Sequence, residues 1–280
     1  MKTISKITEI KNEILSWKKN DLIIGLVPTM GALHIGHESL IKKAKDSCDK
    51  VVVSIFVNPI QFGPNEDYSI YPRNLEKDQD ICQKNNVDII FHPESAEMYP
   101  ENKHLTIVTP PEFYRSQLCG KTRQGHFEGV STVVLKLFNI VQPDKAFFGQ
   151  KDAQQLIIIK KFCRDLNVPV EIVRCPIIRD NDGLACSSRN QYLSPESRQK
   201  ALSLHKVLNN IAELYKSGSK DKEEIFNQAL ALLPDGVELE YLDAYDADTF
   251  EVLNILKSDS LIALAAKVGG VRLIDNSIIE

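Results

Sequence analysis

Short, mostly apolar runs alternate with longer stretches of helical spacing, and this alternation constrains the fold more than any other feature of the chain. Residues 22–27 (LIIGLV), 51–57 (VVVSIFV), 87–91 (VDIIF), 146–148 and 170–173 read as strands. Between them, residues 37–47, 75–86, 131–141 and 153–166 read as helices. The first carries Leu40, Ile41 and Ala44 on one face, and the third opens on Ser131 and Thr132 as candidate caps. Strands without a polar face cannot lie against water, so the pattern predicts a parallel sheet covered by helices on both sides. Residues 1–20 read as one amphipathic helix, with Ile4, Ile7, Ile10, Ile14 and Trp17 on its apolar stripe.

The rhythm changes near Cys175-Pro176. A turn at 180–183 (DNDG) leads into a long helix over 195–216, which Ser194 and Pro195 open as N-cap and first-turn residue and Ser217-Gly218-Ser219 ends. A second helix (221–233) and three strand-like runs (237–245, 261–266 and 271–274) complete a smaller α+β domain. The chain of 280 residues is thus expected to form two domains, 1–176 and 177–280.

Composition narrows the function. A net charge of −4 disfavours nucleic acid as the main partner, which calls for a basic excess. No apolar run approaches the roughly 20 residues that span a bilayer, and the first residues lack the apolar core of a signal peptide. The six cysteines are dispersed with no C-x-x-C pair, which suits a reducing, cytoplasmic setting better than a disulfide or zinc framework.

The most informative stretch is the loop Val27-Pro28-Thr29-Met30-Gly31-Ala32-Leu33-His34-Ile35-Gly36-His37. A strand ends, a Pro/Gly turn follows, and a helix starts. Ligands of open parallel sheets bind at such carboxyl ends, and a helix N-terminus there offers N–H groups to a phosphate. His34 and His37 are three residues apart, so their rings share one side of the first turn, and Gly36 leaves room for close approach. Paired imidazoles there can stabilise charge developing on a transferring phosphorus. Two solvated histidines near a turn are the plain alternative; the strand–turn–helix setting outweighs it.

Three further clusters carry chemistry. Asn58-Pro59-Ile60-Gln61 follows the second strand and offers uncharged amides that suit hydroxyls and a carboxylate. The polar segment 64–72 after it reads as a mobile lid. Gly149-Gln150-Lys151-Asp152 places an ammonium at another strand end, with Gln155 one turn on. Cys186-Ser187-Ser188-Arg189 supplies hydroxyls and a guanidinium suited to a triphosphate. The basic loop with Arg123 and His126 can steer anions, or be only a solvated loop.

His34-Ile35-Gly36-His37 resembles the HxGH ATP motif of the nucleotidyltransferase superfamily, which includes the class I aminoacyl-tRNA synthetases. With the blocks 28–37, 54–62, 71–73, 147–155 and 187–193 in order, the whole chain resembles the pantoate–β-alanine ligase family. The resemblance implies a Rossmann-like doubly wound sheet with a smaller α+β domain closing over the ATP site. It implies a carbon–nitrogen ligase that condenses pantoate with β-alanine through a pantoyl adenylate, releasing AMP and pyrophosphate. Mg²⁺ would enter with ATP, and the enzyme would be a cytoplasmic homodimer without nucleic-acid or membrane partners. Residue by residue, Met30, Gly31, Ala32, Leu33, His34, Ile35, Gly36 and His37 would line the ATP site, with His37 as proton donor. Gly149, Gln150, Lys151, Asp152, Ile178, Cys186, Ser187, Ser188 and Arg189 would contact ATP as well. His37, His34 and Lys151 are the expected catalytic groups. Gln61 and Gln155 would hold pantoate, with Asn58, Arg123 and His126 also at the substrate. Position 186 is Cys where relatives often carry Met or Leu. The acidic stretch of the family is reduced to Glu76, Lys77 and Asp78, leaving Asp78 as the candidate metal contact.

Two other readings stand beside this one: a simple nucleotidyltransferase acting on a phosphorylated small molecule, and a non-catalytic ATP-binding module. The ligase reading expects both imidazoles, the Lys151 ammonium and the Arg189 guanidinium to serve one triphosphate.

Overall fold

A computed structural model describes residues 1–64, 66–101 and 104–280. The chain divides into two compact units, residues 1–149 with 154–176, and residues 150–153 with 177–280.

In the first unit the strands are β1 (Lys2–Ile4), β2 (Ile24–Thr29), β3 (Lys50–Ile55), β4 (Ile89–Phe91), β5 (Lys145–Gly149) and β6 (Glu171–Cys175). They form one parallel sheet in the order β1-β4-β3-β2-β5-β6. The longer helices are α1 (Ile7–Lys18), α2 (Ile35–Lys45), α3 (Leu75–Lys84), α4 (His126–Val141) and α5 (Ala153–Asp165). Adjacent residues of one strand feed opposite faces. Leu26 and Val52 join Ile10, Ile14, Leu137, Phe138, Ile159 and Phe162 on one side of the sheet. Val27, Val51 and Val53 join Leu40, Ile41, Ala44 and Cys82 on the other. This is the doubly wound α/β class that the apolar runs predict. The strand order reverses between β2 and β5, so the loop that leaves β2 opens at the switch point of the sheet.

The second unit packs α6 (Pro195–Lys216) and α7 (Lys222–Leu230) on an antiparallel sheet of β7 (Val237–Asp246), β8 (Ser260–Val268) and β9 (Val271–Ile278). Leu204, Leu208 and Ile211 of α6 share its core with Ile225, Ile262 and Leu264. Ser194 caps α6 by accepting the Ser197 N–H, with Pro195 in the first turn.

Three expectations need correction. Residues 2–4 leave the amphipathic stripe and pair with β4, because Ile4 is needed at the sheet edge. The strand at the C-terminus runs to Ile278, four residues past its expected end, through a ladder with β8 that reaches Leu261. Helix α4 begins at His126, and Ser131 and Thr132 are buried inside it and are not its caps. The helix starts at Gly125, whose φ of +78° makes the turn that no side-chain cap provides. Thr132 instead accepts the Val108 N–H through Oγ1.

Candidate active site

The loop that leaves β2 is shaped by its own backbone. Gly31 and Ala32 both lie in the left-handed region, at φ +81° and +51°. The turn they make aims the next two N–H groups, of Ala32 and Leu33, at one anion. The anion is internal: Asp78, in the first turn of α3, accepts from Ala32 N at 3.0 Å and from Leu33 N at 2.7 Å, one N–H to each carboxylate oxygen. Asp78 is 1% exposed. Burial pushes its carboxyl above the usual range, and the two N–H bonds offset only part of that effect. A Cβ on Gly31 would stand 2.9 Å from Asp78 Oδ2, so the approach requires glycine. Asp78 therefore anchors the loop through both carboxylate oxygens. Among the described residues, no group of three His, Cys, Asp or Glu side chains is placed to hold a metal.

Both histidines are tied down at the start of α2. His34 is the N-cap and accepts the Gly36 N–H through Nδ1 at 3.1 Å. His37 accepts the His34 N–H through its own Nδ1 at 3.3 Å. This is a capping box made of two imidazoles. An Nδ1 that accepts carries no proton in the neutral ring, so each ring keeps its N–H at Nε2. The ring centroids are 4.1 Å apart. Ile35 opens the helix between the two histidines, and Met30 lies in the loop before it.

The second cluster follows β3. Gln61 lies in a short 3₁₀ turn, Pro59–Gln61, and is 7% exposed. Its amide nitrogen donates to Met30 Sδ at 3.0 Å, which brings it to the loop that carries the histidines. Asn58, expected to touch substrate, is engaged inside the protein. Its nitrogen donates to Gln61 Oε1 and to the Gly129 carbonyl, and its oxygen accepts from Tyr99. Gly129 packs α4 directly on the Pro59–Gln61 turn; a Cβ there would meet Gln61 Cα and the Ile60 carbonyl at 2.5 Å. Arg123 and His126 also act on this turn. Arg123 makes a two-pronged bond to Glu66 at 2.8 and 2.7 Å and donates to His126 Nε2 at 2.8 Å. His126 then donates through Nδ1 to the Gln61 carbonyl at 2.9 Å. Burial acts to raise the Glu66 carboxyl, but the Arg123 guanidinium outweighs it and holds that carboxyl below its ordinary range. The expected lid is held from its two flanks: Arg73 donates to the carbonyls of Tyr68 and Tyr71, and Phe62 packs edge-on against both rings. Asn65 of that segment lies outside the described residues. Gln155 is half-buried on α5, next to Gln154, which is buried and holds Cys119 N and the carbonyls of Tyr114 and Gln117.

In the second unit, Gln150, Lys151 and Asp152 form a 3₁₀ turn. The Lys151 ammonium is half-buried and 3.4 Å from the Asp152 carboxylate. Cys186 N donates to the Ile178 carbonyl, which places those two expected residues on one short bridge. The Cys186 thiol donates to Asp180 Oδ1 at 3.2 Å. Burial and that carboxylate push its pKa up to about 12, so it is no nucleophile. Ser187 caps the 3₁₀ turn Ser188–Tyr192 by accepting the Arg189 N–H, which fixes the backbone that carries Arg189. Tyr99 and Gly129 are contributors that local sequence signals do not mark, because each acts on a segment distant in the chain.

Known proteins resemble the chain along its whole length. The family model for pantoate-beta-alanine ligase matches residues 2–278. The pantothenate synthetase of Thermotoga petrophila is 50% identical over 281 residues, covering 100% of both chains. That of Caldicellulosiruptor bescii is 50% identical, covering 100% of this chain and 99% of its own. The crystal structure of pantothenate synthetase from Thermus thermophilus superposes with a TM-score of 0.92 at 40% identity, covering 99% of both chains. A pantoate-beta-alanine ligase from Francisella tularensis, complexed with beta-gamma ATP and beta-alanine, superposes at 0.83 with 37% identity, covering 99% of this chain and 97% of that one.

Proposed function

The chain belongs to the pantoate-beta-alanine ligase family, and from that premise we propose that it works through a pantoyl adenylate. A carboxylate is a poor acyl donor because its leaving group is oxide. A pantoate oxygen attacks the α-phosphorus of ATP and the bond to pyrophosphate breaks. The amine of β-alanine then attacks the acyl carbon, the bond to AMP breaks, and the amine gives up its proton as the amide forms.

The observation that carries this reading is that His34 and His37 both turn Nδ1 toward backbone N–H groups at the start of α2. Both Nδ1 atoms accept backbone N–H groups, so both Nε2–H groups can donate to phosphate oxygens as charge builds on the transferring phosphorus. The N-terminus of α2 adds its N–H groups and partial positive charge. Lys151 and Arg189 are the cations that this reading assigns to the triphosphate. Gln61 and Gln155 hold pantoate, since amides match its hydroxyls and carboxylate without a fixed charge. Asn58, Arg123 and His126 act through Gln61, by fixing its side chain and its backbone. Mg²⁺ enters with ATP as part of the substrate, in keeping with the habit of this ion to bind mainly phosphate oxygens and water. We place the enzyme in the cytoplasm as a homodimer, in line with its dispersed cysteines and with the family.

The test is incubation with ATP, Mg²⁺, pantoate and β-alanine, following AMP and the amide. Equal amounts of both, with ATP–pyrophosphate exchange that needs pantoate but not β-alanine, are expected. Exchange that ignores pantoate overturns the adenylate route.

A further inference from the structure

Asn276 lies on β9 and is 3% exposed, 126 positions from the turn it touches. Its amide nitrogen donates to two consecutive carbonyls, Gln150 O at 3.0 Å and Lys151 O at 2.9 Å. Its amide oxygen accepts from Gln150 Nε2 at 2.9 Å. Both donors and the acceptor are therefore used on one short turn. The strand that presents it is itself braced. Arg179 grips Asp275 with two bonds of 2.7 and 3.0 Å, and Asp275 Oδ1 accepts the Asn276 N–H at 2.8 Å. By contrast, the Lys151 ammonium is held only loosely, by a 3.4 Å approach to Asp152. The backbone from which it projects sets the point that its reach is measured from.

We propose that Asn276 is a positioning residue for Lys151: its side-chain amide clamps the 150–151 carbonyls and so fixes where the Lys151 ammonium meets ATP. This rests on the ligase reading of the site. Asn276 makes no contact with substrate in this role. It sets the backbone from which the cation reaches the nucleotide, and displacement of such a group by about 1 Å can cost on the order of 100-fold in rate. Pantoate is held by a different set, Gln61 and Gln155, so the effect is confined to ATP.

The test uses the full-length enzyme with Asn276→Asp and Asn276→Ala. The aspartate keeps the shape and the acceptor for Gln150 but removes both donors and sets a carboxylate against two carbonyl oxygens. We expect the KM for ATP to rise roughly 10- to 100-fold in both, with the KM values for pantoate and β-alanine within about twofold of the parent. In a Lys151→Ala background, the same substitutions are expected to add nothing further to the loss in kcat/KM for ATP. A general structural role instead moves all three KM values together and adds to the Lys151 effect. Folded variants with an unchanged KM for ATP, equal rises for all substrates, or additive losses each overturn the proposal. If neither variant folds, Asn276→Ser keeps a single hydroxyl donor and so removes at least one of the two bonds to the 150–151 carbonyls. A selective rise in the KM for ATP is again expected, and no change overturns the proposal. A parent enzyme without ATP-dependent amide formation overturns the ligase reading, and this inference with it; an active parent with unselective variants overturns the inference alone.

Discussion

His34 and His37 cap one helix with their Nδ1 atoms while keeping their Nε2 protons side by side, at a ring separation of 4.1 Å. Capping and chemistry therefore use opposite edges of the same imidazoles, and substitutions can separate the two.

His37→Ala removes both edges and is expected to slow adenylate formation by about 10²–10³. His37→Asn offers an acceptor where Nδ1 stood but no donor at the position of Nε2. It is expected to recover stability without recovering the rate. Pyrophosphate release in single turnovers, beside thermal unfolding, measures this. Normal release in His37→Ala rejects the role given to the pair.

Asp78→Asn leaves one oxygen for the two N–H groups of Ala32 and Leu33 and turns an NH₂ toward the other. A buried N–H without an acceptor costs about 1–3 kcal/mol. We expect a drop in stability of that order and a loss of ATP-dependent rate. Denaturant unfolding and initial rates at varied ATP check both, and an unperturbed KM and kcat for ATP would remove Asp78 from the account of the loop.

Gly129→Ala forces a Cβ to within 2.5 Å of Gln61 Cα and the Ile60 carbonyl. Neither is a flexible side-chain tip, so the turn itself must shift, at an overpacking cost of about 1–3 kcal/mol. The KM for pantoate is expected to rise more than that for ATP. An equal rise in both would show that the strain spreads beyond Gln61.

The Glu66–Arg123 pair makes stability depend on pH with a defined sign. The folded-state pKa of Glu66 is lowered, so its contribution is fully present above the ordinary glutamate value of about 4.3 and is lost as pH falls through the lowered folded value. In Glu66→Gln that increment is absent at every pH. The stability gap between parent and variant should therefore shrink as pH drops below about 4. Denaturant midpoints across that range measure it, and a gap independent of pH contradicts the assignment.

Much of the fold was legible because local patterns and long-range packing agree. The helix Pro195–Lys216 carries its start in Ser194 and Pro195 and its stop in the Ser217–Ser219 stretch, so both ends could be read. The paired histidines, too, are close neighbours in sequence. Ser131 and Thr132 imitate a cap inside helix α4, while its real start depends on the backbone conformation of Gly125. Strand β1 is three residues long and pairs only at the sheet edge, too short for a periodic signal. Asp78 showed itself as an acid near a helix N-terminus, a position that does not reveal which distant N–H groups it meets. Asn58 presented an amide at a strand end, and only the approach of Gly129 and Tyr99 shows that the amide is already used. Asn276 offers no local clue, since its partners are over a hundred residues away.

The curl of backbone at Gly31 and Ala32 already holds a carboxylate that belongs to the protein. The N–H groups of Ala32 and Leu33 are thereby spent inside the molecule, and a tether from a helix more than forty residues along the chain holds the curl in shape.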